Sequence, residues 1–331
     1  MLTTEIVLPH KGEPEVLQRR EVEQHTPGRG RVLIRMEAAG VAFAEVQMLR
    51  GRYPMQPKFP FVPGYDLVGT VIAIGDGVST VAVGDRVAAM TRTGAWRTNV
   101  EVPAKSVVAV PKDVDAGAAV ALIMNGVTAH QMAHRVVKVT RGQTVLVHGA
   151  SGGVGTLLAQ LAIRAGARVV GTASVAKHAR LREIGVKPVD YRAADAYAQL
   201  ADLGPYAAVF DHIGGSGLAA SWRIVAPGGT LVSYGAVAHL HDEGNPLWPI
   251  LGQAVKILRW NLAGLPHRKR VRAYYVTGGR KFVADLRSLF ALLRAGELEP
   301  EIAGRYRLDE APVALRRLVE HNATGKLVLH P

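Results

Sequence analysis

Val147-His148-Gly149-Ala150-Ser151-Gly152-Gly153-Val154-Gly155 joins a β-rich apolar run, Thr144 to His148, to a stretch with helical periodicity, Val154 to Arg164. Glycines at such a junction let the backbone approach a pyrophosphate, while the free amides and dipole at a helix start favour its negative charge. Val154, Leu157, Leu158 and Leu161 recur at the i, i+3, i+4, i+7 spacing that packs a helix on a sheet. The stretch departs from G-x-G-x-x-G at Ala150, which costs little where φ stays negative. A dinucleotide-binding loop is the reading, with Ser151, Gly152, Gly153, Val154 and Gly155 as its contacts.

Working outward, a second strand is expected over Arg168 to Ala173, where an NAD-binding domain carries an acid for the ribose diol. Here the text is Gly171-Thr172-Ala173-Ser174-Val175-Ala176-Lys177-His178, with no acid. Ser174 as a hydrogen-bond donor and Lys177 as a point charge suit a 2′-phosphate instead, and Tyr191, after the next strand, can add a hydroxyl. NADPH is therefore the expected cofactor; the competing view of Lys177 is a solvated helix-surface lysine.

Further apolar runs at Ala207 to Asp211 and Thr230 to Tyr234 and a helical stretch from Ala116 to Val136 extend the strand-helix rhythm. Five βα steps predict a doubly wound parallel Rossmann sheet, an α/β fold. Before it, Arg31 to Ala89 reads as all-β: short β-rich runs punctuated by Pro63-Gly64, Gly75-Asp76-Gly77 and Gly84-Asp85. Leu247 to Leu265 is apolar but broken by Pro249, Lys256 and Arg259, so it predicts a helix covering a sheet, a pocket or a subunit contact, not a membrane span. A helix over Phe282 to Arg294 and strand-like text at Lys326 to Leu329 close the chain.

The 331 residues, 48% of them hydrophobic, suffice for two domains. Met1 to Pro14 lack the long apolar region of a secretory signal, and the chain contains no cysteine, which together predict a cytoplasmic protein without disulfides. Lys and Arg outnumber Asp and Glu by 40 to 27, a formal charge of +13 that steers anionic ligands. The basic residues are dispersed and follow no nucleic-acid-binding pattern, so nucleic acid is not expected as the main partner.

These residues resemble the zinc-free quinone oxidoreductase branch of the medium-chain dehydrogenase/reductase superfamily. The resemblance rests on Ala39-Gly40-Val41 through Arg50-Gly51-Arg52-Tyr53-Pro54, Pro63 to Gly69, Val83 to Val87, the 147–155 loop, Pro227-Gly228-Gly229 and Gly325 to Leu329. It implies a GroES-like β-rich catalytic domain formed by residues 1–118 and 266–331, a Rossmann domain at 119–265 inserted between them, and a homodimer. It further implies cofactor contacts from Asn125, Thr128, Gly235 and Lys326 besides those above, and a pocket near Tyr53 and Tyr65. Relatives often carry Asn-Phe-Ala-Asp and Asn-Tyr where this chain has Ala42-Phe43-Ala44-Glu45 and Asn125-Gly126, so a polar contact is lost and Gly126 is expected to enlarge the site.

Zinc alcohol dehydrogenases of the superfamily read Gly-His-Glu where Gly64-Tyr65-Asp66 stands here, and they have a cysteine upstream. No metal is expected, since catalytic zinc needs about three protein ligands and His130 and His134, spaced i, i+4, have no third. The expected reaction is hydride delivery from NADPH to a quinone or α,β-unsaturated carbonyl, with Tyr53 the first candidate proton donor and Tyr65 the second. Two alternatives stay open. One is an enoyl-thioester reductase using Arg259, His267, Arg268, Lys269, Arg270 and Arg272 to hold an acyl carrier; the other is a cofactor-binding relative with an RNA-binding role.

Overall fold

The computed structural model describes residues 2–235, 247–320 and 323–331. They fall into two compact units, Met1–Val127 with Thr277–Pro331, and Thr128–Val276. Both joins lie later than the expected 118 and 265. The helix α2 (Ala116–Ala121) packs on strands of the first unit, and the strand at Arg270–Ala273 hydrogen-bonds into the sheet of the second.

In the first unit the strands are β1 (Leu2–Val7), β2 (Gln18–Glu23), β3 (Arg31–Val41), β4 (Asp66–Ile74), β5 (Arg86–Met90), β6 (Asn99–Pro103) and β7 (Val107–Ala109), joined by β14 (Ile302–Arg307) and β15 (Lys326–His330) from the tail. β1 and β2 form an antiparallel pair, while the rest give the order β14-β15-β3-β4-β5-β7 with β6 also on β3. Thus the tail closes the sheet begun by the first half, as the resemblance implied. Within the stretch read as all-β lies a helix, α1 (Phe43–Leu49). The Glu45 carboxyl group accepts the Ala42 amide at 2.7 Å across its first turn, and Val46, Met48 and Leu49 are buried by the fold, a tertiary gain invisible to local strand periodicity. The helices α9 (Arg280–Arg294) and α10 (Ala311–Val319) complete this unit.

The helical run from α2 continues through a π-turn at Leu122–Gly126 into α3 (Val127–His130) and a second π-turn at Gln131–Val137, over the stretch expected to be helical. The second unit contains β8 (Thr144–Val147), β9 (Arg168–Ala173), β10 (Val186–Asp190), β11 (Tyr206–Asp211), β12 (Val225–Ser233) and β13 (Arg270–Ala273), in the all-parallel order β10-β9-β8-β11-β12-β13. That is the 3-2-1-4-5-6 order of a doubly wound dinucleotide-binding sheet, whose switch point lies between β8 and β11.

The helices α4 (Gly153–Arg164), α5 (His178–Glu183), α6 (Ala196–Asp202), α7 (Gly217–Arg223) and α8 (Leu247–Gly264) accompany the sheet. Leu146, Val170, Tyr206, Val209 and Leu231 form its core, against which Ile257 and Trp260 of α8 pack. Trp222 stacks on Trp260 with centroids 6.1 Å apart. The apolar segment at 247–265 is thus a sheet-covering helix, and no helix among the described residues is long and apolar enough to cross a membrane.

Candidate active site

The 148–155 loop emerges from β8 at the switch point. Its positive φ falls on Gly149, at +63°, and not on Ala150, so alanine is unstrained there. The Ala150 methyl group is buried against β9; a Cβ at Gly171 would come within 2.5 Å of it. Gly155 is compelled differently, since a Cβ there would lie 2.2 Å from the Gly149 carbonyl oxygen and 2.8 Å from the Ala150 Cα. Its absence lets α4 rise directly from the loop.

The loop spends some amides internally: Gly149 donates to Thr172 Oγ1, Ala150 to the Thr172 carbonyl, and Gly152 to the Gly149 carbonyl. Since α4 opens at Gly153, the amides of Gly153, Val154 and Gly155 have no acceptor within the helix. They are the donors that fit a pyrophosphate. Leu157, Leu158 and Leu161 are buried behind them as the periodicity required, whereas Val154 is only half-buried beside the loop.

At the end of β9, Ser174 is half-buried and its hydroxyl does not cap the turn it precedes. Lys177 follows one turn later, its pKa held below the ordinary lysine value by burial and then by the positive charge of Arg192. Arg192 is a residue the sequence reading missed; its guanidinium lies over the exposed Tyr191 ring at 5.4 Å. A 2′-phosphate would offset the desolvation of the ammonium and the repulsion between the cations, which fits NADPH. Thr128, on α3, is 7% exposed, and Gly235 approaches the His212 backbone so closely that a Cβ would lie 2.5 Å from its carbonyl oxygen.

In the first unit, Tyr53 and Tyr65 meet. Their hydroxyls are 3.1 Å apart and the side chains are 4% and 1% exposed. Gly64, at φ +103°, turns the chain into Tyr65 and leaves room for Trp96, whose ring would be 2.6 Å from a Cβ. The family resemblance indicated each tyrosine separately but not the pair, because contact across twelve residues is a tertiary fact.

Two expected site positions have close protein neighbours. Lys326, expected at the cofactor, is buried and donates from Nζ to Asp66 Oδ2 at 3.3 Å. Gly40 makes room for this ion pair, since a Cβ there would lie within 2.4 Å of both partners. Gly126 does not enlarge a site: it is buried with Leu122 and Leu289 around it, a Cβ there meeting them at 3.0 and 3.2 Å. Asn125, 5% exposed, lies on the same π-turn.

Around the Lys326 ion pair stands a second acid. Glu45 is buried, and its pKa is pushed up to about 8 by that burial, with Lys326 acting against the shift and Asp66 adding to it. Asp66 is also raised by burial, but Lys326 and the Met124 amide support its charge directly. Two carboxyls share one ammonium, so one proton stays, and it belongs on Glu45.

Zinc does not fit these residues. The chain has no cysteine, Asp66 is committed to Lys326, and among the described residues no three His, Asp or Glu side chains group as ligands.

Residues 28–112 match the family described as alcohol dehydrogenase GroES-like domain, and residues 184–329 match the family described as zinc-binding dehydrogenase. A quinone oxidoreductase of Pseudomonas aeruginosa is 32% identical, over 97% of each chain. The human synaptic vesicle membrane protein VAT-1 homolog is 31% identical over 95% of this chain and 82% of its own length. A mycobacterial protein solved in complex with NADPH superposes with a TM-score of 0.85 at 31% identity, covering 99% of this chain and all of its own. The chain is therefore a member of the medium-chain dehydrogenase/reductase superfamily, of the quinone oxidoreductase type, with a Rossmann sheet and a GroES-like domain.

Proposed function

We propose that this oxidoreductase uses NADPH to deliver a hydride to a quinone or an α,β-unsaturated carbonyl without zinc. The observation that carries the proposal is the row of amides opening α4, together with Lys177 and Arg192 at the acid-free end of β9. Gly153, Val154 and Gly155 hold the pyrophosphate, while Ser174, Lys177 and Arg192 take the 2′-phosphate and Tyr191 flanks it. NADPH supplies the hydride. The oxygen that gains charge is protonated from the Tyr53–Tyr65 pair, in which either hydroxyl can donate to the other.

A screen of NADPH consumption against quinones, enones, aldehydes and enoyl thioesters tests the reading; no turnover of quinones or enones defeats it. Lys177→Ala and Arg192→Ala are each expected to cut the preference for NADPH over NADH roughly tenfold, the scale of one lost charge-assisted hydrogen bond. An unchanged preference in both variants refutes the phosphate assignment. Tyr53→Phe is expected to lower kcat on an enone roughly 100-fold with little change in the KM for NADPH. Retention of wild-type kcat removes Tyr53 from proton delivery.

A thioester substrate is the second reading, favoured by the exposed Arg259, Arg268, Arg270 and Arg272; faster turnover of an enoyl thioester than of the free enone decides for it. A cytoplasmic homodimer completes the proposal. Strand β13, which pairs on one side only among the described residues, and the exposed Val255, Leu258 and Leu262 of α8 with Leu265 just after it support the dimer. Sedimentation is expected to show about twice the 35.4 kDa chain mass, and a monomer at micromolar concentration rejects it.

A further inference from the structure

His148, immediately before the cofactor loop, is 2% exposed with both ring nitrogens engaged. Nδ1 lies 3.2 Å from Thr172 Oγ1, and Nε2 lies 3.1 Å from Ser221 Oγ. The donor sense is fixed from the far end. The Ser221 hydroxyl donates to Asp211 Oδ2 at 2.7 Å, because a carboxylate only accepts. Its single proton is thereby used, so the hydrogen between Ser221 and His148 must come from Nε2. Nδ1 is then bare and accepts the Thr172 hydroxyl, whose oxygen in turn accepts the Gly149 amide at 3.1 Å.

One directed chain thus runs from the Gly149 amide through Thr172, His148 and Ser221 to Asp211. Every side chain in it is buried, and Asp211 is anchored by the amides of Ile213 and Gly214 on its Oδ1, at 2.8 and 2.9 Å. Gly149 is where this chain meets the cradle: its carbonyl accepts the Gly152 amide at 2.9 Å and lies under Gly155.

We infer that Asp211 is a positioning residue for cofactor binding, which acts through Ser221 to impose the Nε2–H tautomer of His148 and so lets Thr172 hold the Gly149 amide. The inference rests on the NADPH reading above. Burial lowers the His148 pKa and the Asp211 charge opposes that effect, which keeps the ring neutral as the chain requires. The Tyr197 ring, 6.4 Å from His148 and with its hydroxyl on Ser221, the Tyr234 ring, which feels the Asp211 charge, and the His212 ring, packed on Gly149, also face this corner.

Asp211→Asn tests it. With Oδ1 still accepting the two amides, the new Nδ2 donates to Ser221, whose hydroxyl must turn to His148 and force the ring to its Nδ1–H form. That hydrogen then points at Thr172 Oγ1, displaces the hydroxyl proton and competes with the Gly149 amide.

The 15N spectrum of His148 is expected to switch from the Nε2–H to the Nδ1–H pattern, with NADPH affinity falling roughly tenfold and kcat at saturating NADPH nearly unchanged. An Nδ1–H ring in the wild type, an unchanged ring in the variant, or a switched ring with wild-type affinity each overturns the inference. If Asp211→Asn does not fold, Ser221→Ala serves: loss of the Nε2–H acceptor is expected to weaken NADPH binding, and undiminished binding is equally fatal. Wild-type protein that takes up no NADPH defeats the cofactor reading itself, a result distinct from all of these.

Discussion

Gly155→Ala is expected to weaken NADPH binding by about 100-fold or more, a loss of about 2.7 kcal/mol. The added methyl group would sit 2.2 Å from the Gly149 carbonyl oxygen and 2.8 Å from the Ala150 Cα, and both are backbone atoms that no rotamer change can move. Relief requires α4 to withdraw from the loop, and the amides of Gly153, Val154 and Gly155 go with it. Overpacking of this kind also costs about 1 to 3 kcal/mol of stability. Gly152→Ala is the internal control, because its Cβ would meet only the Gly149 oxygen at 3.3 Å, a contact a small shift accommodates. Calorimetric titration of both variants with NADPH, alongside circular dichroism, makes the comparison; equal affinities would show that the close approach does not build the cradle.

Glu45→Gln is expected to remove a pH dependence of stability worth on the order of 5 kcal/mol, from about 1.4 kcal/mol per pKa unit. In the unfolded chain this carboxyl ionises near 4.5, whereas in the folded protein it keeps its proton until about 8. Between those values the folded state holds one more proton than the unfolded state, so stability falls as pH rises through the window and levels off above it. Glutamine keeps the neutral state throughout, and its side-chain oxygen can still accept the Ala42 amide. Denaturation midpoints from pH 5 to pH 8 are expected to decline more steeply for the wild type than for the variant. Parallel curves would mean that Glu45 is ionised in the folded protein and that the extra proton lies elsewhere.

Much of the cofactor half could be read from the chain because its determinants are local. The junction at Val147 to Gly155, the leucines behind it and the missing acid after Ala173 act within one strand-turn-helix unit, where neighbours in sequence are neighbours in space. Arg192 escaped notice because it reaches Lys177 only when β9 and β10 pair in parallel, and nothing in Tyr191-Arg192 taken alone marks a phosphate site. The Asp211–Ser221–His148–Thr172 chain draws on four separate elements and has no spacing signature. The Lys326–Asp66 ion pair escaped notice for a related reason: it joins residues far apart in the sequence.

By itself, then, the sequence determined the doubly wound sheet, the flanking β-rich domain and the loop suited to a dinucleotide, since periodicity and glycine placement act over a few residues. Tertiary structure alone decided which hydroxyls meet, which acid keeps its proton and which amides remain free. Those outcomes depend on burial and on distances between residues far apart along the chain, and both exist only after strands from distant segments have been brought side by side.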